Sequence, residues 1–189
     1  MCSEKTLVLA STSPRRRELL TKMGYSFEIC APEVDEHVTG EAKEIVAVLA
    51  KRKALAAAAH CPHSVIVASD TLVSMDGTPL GKPEDAADAR RMLRALSCRT
   101  HEVFSGVCVI DTDTNQTALR VARTGVTFKT LSNEEIDAYI ATGEPMDKAG
   151  AYGIQGGAGA FVTKLDGSFE NVMGFPVDDV KALLREFGI

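Results

Sequence analysis

The run Val65-Ile66-Val67-Ala68-Ser69-Asp70-Thr71-Leu72-Val73 constrains this chain more than any other stretch. An unbroken apolar start of this kind is the pattern of a strand covered on both faces, which requires a sheet with helices on each side. A carboxylate interrupts it. In such surroundings Asp70 must be paired, ligate a metal or titrate abnormally, unless the strand frays there and the aspartate caps a turn. Asp76-Gly77 is a two-residue hairpin signal, and folding back at that point sets Lys82 opposite Thr71, one residue from Asp70.

The remaining pattern fits the same architecture. Leu7 to Ala10 reads as a strand. Ser13 then serves as N-cap and Pro14 as the first helical residue, with Leu19, Leu20 and Met23 buried and Gly24 ending the helix. Tyr25 to Cys30 reads as a returning strand, and Glu41 to His60 as a long helix with Ile45, Val48, Leu49 and Ala56 inward. Asp85 to Leu96 forms a helix, and Glu102 to Ile110 and Leu119 to Phe128 form strands joined at Asp113 to Asn115. Ser132 and Glu135 make a capping box. The stretch from Gly143 to Gly174 carries eight of the 15 glycines, so its backbone turns tightly or approaches a ligand closely. It is expected to hold a second hairpin at Asp166-Gly167 and a strand bearing Val172, before a last helix opened by Pro176. The expected fold is α/β with a mixed β-sheet and helices, with residues 1–189 as one domain.

Charge and cysteine usage narrow the function. With 21 basic and 26 acidic residues, a net charge of −5 argues against a general grip on nucleic acid, so any anion must be caught locally. Five scattered cysteines without a CxxC pair argue against a disulfide framework or zinc ribbon. No apolar run is long enough to cross a bilayer, and the polar start from Met1 to Thr6 does not resemble a signal peptide, so a cytoplasmic protein is expected.

Four places carry candidate chemistry. Ser11-Thr12-Ser13-Pro14-Arg15-Arg16-Arg17 puts three cations at a helix N-terminus, against the macrodipole, unless an anion sits there. Phosphate oxygens would meet the free N–H groups, the hydroxyls of Ser11 and Ser13 and the guanidinium forks of Arg15 and Arg16; solvated arginines on a capped helix are the plainer alternative. Asp70 has acidic candidates for a shared cation in Glu33, Asp35 and Glu36. Lys53 falls on the inner side of its helix, between Leu49 and Ala57, where it needs an anion unless it snorkels to water. Gln155, set among small residues in Asp147-Lys148-Ala149-Gly150-Ala151-Tyr152-Gly153-Ile154-Gln155-Gly156, can offer its carboxamide to a planar ligand. GxGxxG, GxxxxGK[ST] and HExxH are all missing, and His60-Cys61-Pro62-His63 reads as surface rather than metal site.

Taken in order, ASTSPRR, VDE, LAKRKA, ASDT, GKP and DKAGAYGIQG resemble the Maf family of nucleoside triphosphate pyrophosphatases from about Leu7 to the final helix. The resemblance implies an elongated mixed β-sheet flanked by helices in two lobes around a central cleft, a Maf/ITPase-like fold, and a hydrolase of acid anhydrides using a divalent cation (magnesium, manganese or cobalt). By residue, it implies that Asp70 is the proton acceptor and that Ser11, Arg16, Glu36, Lys53 and Lys82 handle phosphate and metal, with Asp70 and Glu36 as metal ligands. Arg15, Thr71 and Gln155 match its specificity positions and look like the branch acting on dTTP and UTP rather than on 7-methyl-GTP. Ser105 stands where relatives often have threonine. The resemblance also implies a homodimer with a nucleoside triphosphate as substrate. The competing expectations are a pyrophosphatase for 7-methyl-GTP or other modified nucleotides, and a nucleotide-binding regulator of septum formation with little turnover.

Overall fold

The computed structural model describes residues 5–189; Cys2 and most of the polar start lie outside the described residues. Among the described residues seven strands form one mixed sheet. β1 (Thr6–Leu9) runs parallel to β2 (Glu28–Ile29) on one side and to β3 (Ser64–Met75) on the other, while β3, β5 (Thr100–Asp111), β6 (Thr117–Phe128) and β7 (Val162–Asp166) are successively antiparallel. α1 (Pro14–Lys22) connects β1 to β2, and α2 (Ala42–Ala58) connects β2 to β3. Among the described residues no helix is long and apolar enough to cross a membrane.

Strand alternation divides the core into two layers. Leu7, Leu9, Val65 and Val67 point into a large cluster with α1, α3 (Ala86–Leu96), α4 (Asn133–Ala141) and α6 (Val177–Glu186). Val8, Ala10, Ile66 and Ala68 point the other way, onto Ala50, Ala54 and Ala57 of α2. α2 carries an inward stripe at Ala42, Ile45, Val46, Leu49, Ala50, Ala54 and Ala57, small enough for its backbone to lie close to the sheet. The closest approach is at Gly106, where a Cβ would fall 2.3 Å from the Val46 carbonyl oxygen.

The hairpin pairs Val73 with Leu80 and Met75 with Thr78, the register expected from Asp76-Gly77, with Asp76 and Gly77 both at positive φ. β4 (Thr78–Leu80) ends before Lys82, so the ladder does not extend to a Thr71–Lys82 pair. On this side of β3, β1 covers Ser64 to Val67 and β4 covers Val73 to Met75. Among the described residues no strand lies beside residues 68–72 there, and the sheet is split at Asp70.

Several expectations change. The returning strand is only Glu28–Ile29, not Tyr25 to Cys30. Val48 is exposed and Ala56 half-buried, because the helical stripe runs through Val46 and Ala50 instead. Asp166-Gly167 is not a hairpin, and Val172 lies in a short helix, α5 (Phe169–Val172). The cause is local: the Ser168 hydroxyl accepts from the Asn171 N–H and starts a helical turn, and Gly174 at φ +102° ends it. Asn171, fully buried, donates its amide to the Val103 carbonyl and the Thr124 hydroxyl and pins that turn to the sheet.

Gly106→Ala is expected to push α2 away from the sheet and to lower unfolding free energy by about 3 kcal/mol, read by urea denaturation; an unchanged midpoint would mean that the close approach carries no constraint.

Candidate active site

The split in β3 opens into a cleft of about 1620 Å³ lined by Ser11, Ser13, Arg15, Arg16, Glu36, Lys53, Asp70, Thr71, Lys82 and Gln155. Every residue singled out for a functional role in the sequence therefore faces one space. Its position follows from topology: in the order β2-β1-β3 the connections from β1 and β2 leave in opposite directions, and ligand crevices form outside the carboxyl ends of such strands.

Residue parity decides what each side of β3 contributes. Asp70 continues the Ile66-Ala68 face and meets α2, where Lys53 occupies the inward stripe between Leu49 and Ala57. The Lys53 Nζ donates to Asp70 Oδ1 at 2.7 Å and lies 2.7 Å from Glu36 Oε1. One ammonium thus joins the two carboxylates expected to share a metal. Asp70 is 8% exposed, whereas the Glu36 side chain is 62% exposed on the loop after β2. The bond from Lys53 holds the Glu36 carboxyl below its ordinary 4.5; Lys82 and Arg16 add smaller effects of the same sign, and partial burial opposes them.

Ser69 and Thr71 face the opposite layer. There the Arg16 guanidinium donates from Nε to the Gly174 carbonyl at 2.9 Å, from Nη1 to the Ser11 hydroxyl at 3.2 Å and from Nη2 to the Thr71 hydroxyl at 3.4 Å. Ser69 donates to the same Gly174 carbonyl, and Arg15 to the Met173 carbonyl. Burial pulls the Arg16 guanidinium below its ordinary range, and nearby Arg15 acts in the same direction, while Asp70 and Glu36 oppose the shift. Thr71 and Ser105, paired across β3 and β5, share a 2.8 Å hydroxyl contact, and Ser105 donates onward to the Asn171 carbonyl.

Ser13 is the N-cap by position, but its hydroxyl does not cap the helix; the Ser11 hydroxyl accepts from the Ser13 N–H. Lys82 is exposed beyond β4, and Gln155 is exposed on the glycine-rich loop. The backbone carbonyls at Met173 and Gly174 were missed in the sequence, since backbone acceptors leave no residue signature. A Cβ at Gly174 would lie 3.2 Å from the Thr71 hydroxyl, a close approach that the glycine hints at.

The donor set fits a hard divalent cation. Asp70 and Glu36 already converge on a single positive charge, and no group of three His, Cys, Asp or Glu among the described residues could enclose a metal. Two carboxylates leave the other positions to water and phosphate oxygens, the usual arrangement for magnesium. His60, Cys61 and His63 belong to no such group either.

Comparison with known proteins shows the family. Residues 6–187 match the family model described as Maf-like protein, and the chain belongs to that family. It is 53% identical over 186 residues to a dTTP/UTP pyrophosphatase of Sphingopyxis alaskensis, covering 97% of each chain. It is also 50% identical to one of Anaeromyxobacter dehalogenans, covering 96% of this chain and 94% of that protein. A third dTTP/UTP pyrophosphatase, from Dictyoglomus thermophilum, is 44% identical, covering 98% and 97%.

Because Glu36 titrates lower in the folded chain than in the unfolded one, its pair with Lys53 stabilises the fold above pH 4.5 and that contribution is lost as pH falls through the folded value. Carbon-detected NMR should find the Glu36 carboxyl below 4.5 in the wild type and returning toward 4.5 in Lys53→Met. No change between the two proteins would contradict the bond.

Proposed function

We propose that this chain is a nucleoside triphosphate pyrophosphatase acting on dTTP and UTP. The observation that carries the reading is the single cleft in which Lys53 bridges Asp70 and Glu36 beside the half-buried Arg16. The names of three relatives similar over nearly their whole length support the same substrates.

In this mechanism a water oxygen bonds to the α-phosphorus and the bond to the pyrophosphate oxygen breaks, releasing nucleoside monophosphate and pyrophosphate. Asp70 orients the water and takes its proton. A divalent cation, held by Asp70 and Glu36, supplies charge neutralisation and Lewis acidity at the phosphate oxygens when bound. Arg16 keeps the planar donors not used by Ser11, Thr71 and Gly174 for phosphate. Lys53 and Lys82 balance charge as it builds on the leaving group, and the hydroxyls of Ser11 and Ser13 donate to the remaining oxygens. Acidic and basic side chains line the cleft in similar numbers, so a tetra-anionic substrate needs added cation to enter.

Base selection falls to Arg15, Thr71 and Gln155. Thr71 donates to Ser105 when Ser105 donates to the Asn171 carbonyl, so the Thr71 oxygen, which already accepts from Arg16 Nη2, keeps one further lone pair as an acceptor. A mismatched edge then leaves a polar group unpaired, which is how such sites discriminate.

Pyrophosphate release measured across canonical triphosphates and 7-methyl-GTP is expected to be fastest with dTTP and UTP and to stop when chelator removes divalent cation. Asp70→Asn should lower kcat by roughly 10²- to 10⁴-fold with little change in KM. A preference for 7-methyl-GTP contradicts the substrate assignment, and an Asp70→Asn enzyme of near-normal rate removes that carboxylate from the chemistry.

A further inference from the structure

The loop that presents Gln155 is tied down on both sides by groups that play no part in the mechanism above. Tyr139, buried in α4, donates its hydroxyl to Glu144 Oε1 at 2.9 Å and accepts from the Gly153 N–H at 3.0 Å. The other oxygen of the same carboxylate, Glu144 Oε2, accepts from the Gly157 N–H at 3.1 Å. The two tethered amides lie two residues before and two residues after Gln155.

The glycines follow from this clasp. A Cβ at Gly156 would fall 1.9 Å from Glu144 Oε1, so any side chain there displaces the carboxylate. A Cβ at Gly157 would press on the Tyr139 ring at 3.2 Å. The ends of the loop are anchored separately in the aromatic core. Tyr152 packs edge-to-face on Phe128 at 4.9 Å and on His101 at 5.3 Å, and Phe161 packs on Tyr139 at 5.3 Å. The loop is thus fixed at both ends by packing and through the buried Ile154 and Ala158, while the backbone on either side of the exposed Gln155 is hydrogen-bonded to Tyr139 and Glu144.

We infer that Glu144 and Tyr139 are positioning residues that set the place and angle at which Gln155 meets the base, and so set base selectivity without touching the phosphates. The inference rests on the reading that Gln155 contacts the base. A carboxamide on a loose loop adapts to the thymine edge or to the reversed donor and acceptor pattern of cytosine; one held at a fixed position favours one of them.

The test compares kcat/KM for dTTP and dCTP in the wild type, Glu144→Ala, Glu144→Gln, Tyr139→Phe, Gln155→Ala and the double variant Glu144→Ala with Gln155→Ala. Glu144→Ala and Tyr139→Phe are expected to narrow the dTTP-to-dCTP ratio about tenfold or more, chiefly through KM for dTTP. Glu144→Gln, which keeps one acceptor oxygen, should fall between these and the wild type. In the Gln155→Ala background, removing Glu144 should cost nothing further, since both changes act through one side chain. An equal loss on both substrates, or an undiminished loss in the double variant, overturns the inference. Gln155→Ala that narrows the ratio while Tyr139→Phe and Glu144→Gln do not also overturns it, even if Glu144→Ala fails to fold. Gln155→Ala with an unchanged ratio instead defeats the base-reading role itself.

Discussion

Asp70 is a charge placed inside a core strand, and its pairing with Lys53 is the constraint that the surrounding structure meets. Leaving a buried carboxylate without its cation costs on the order of 3–5 kcal/mol, a large share of a small protein's stability. The cation must come from α2, because Asp70 shares its strand face with Ile66 and Ala68. α2 can deliver it only by lying close to the sheet, which its alanine stripe and Gly106 together permit. The bond to exposed Glu36 adds little stability, on the order of 1 kcal/mol or less. Its consequence is positional, since it brings a second carboxylate from a loop to the point that Asp70 already occupies.

Two independent layers of the fold are joined at this point. One face of β3 supplies Asp70 and Lys53, a charged centre suited to activating water and binding a cation. The other supplies Ser69, Thr71, Ser105 and the Asn171 to Gly174 backbone; Thr71 and Gly174 hold two nitrogens of Arg16, and Ser11 from the loop after β1 holds the third. The two sets meet because β3 lacks a neighbouring strand between the ends of β1 and β4. A sheet paired continuously along this edge would bury the same residues without a place for substrate.

Much of this was legible in the sequence because the relevant signals are short-range. The period of α2 marks Lys53 as inward, the interrupted apolar run marks Asp70, and Asp76-Gly77 fixes the hairpin register. Where local chemistry competes, the reading fails. Val172 looked like strand on β-branching alone, yet a serine cap at Ser168 and a positive-φ glycine at Gly174 make a helical turn. Val48 looked inward, but the stripe is set by Val46 and Ala50 against the sheet. The carbonyls that orient Arg15 and Arg16, and the clasp around Gln155, depend on contacts across more than ten residues of chain, for which a single sequence carries no sign.

Family membership and nearly full-length relatives stand beside a cleft in which Asp70, Glu36, Lys53 and Arg16 come together. The most direct measurement is a crystal structure with a non-hydrolysable α,β-imido analogue of dUTP and magnesium. This account predicts phosphate oxygens against Ser11 and Arg16, a cation between Asp70 and Glu36, and the α-phosphorus within one water of Asp70. Phosphates bound elsewhere, with Lys53 still closed on both carboxylates, would contradict it.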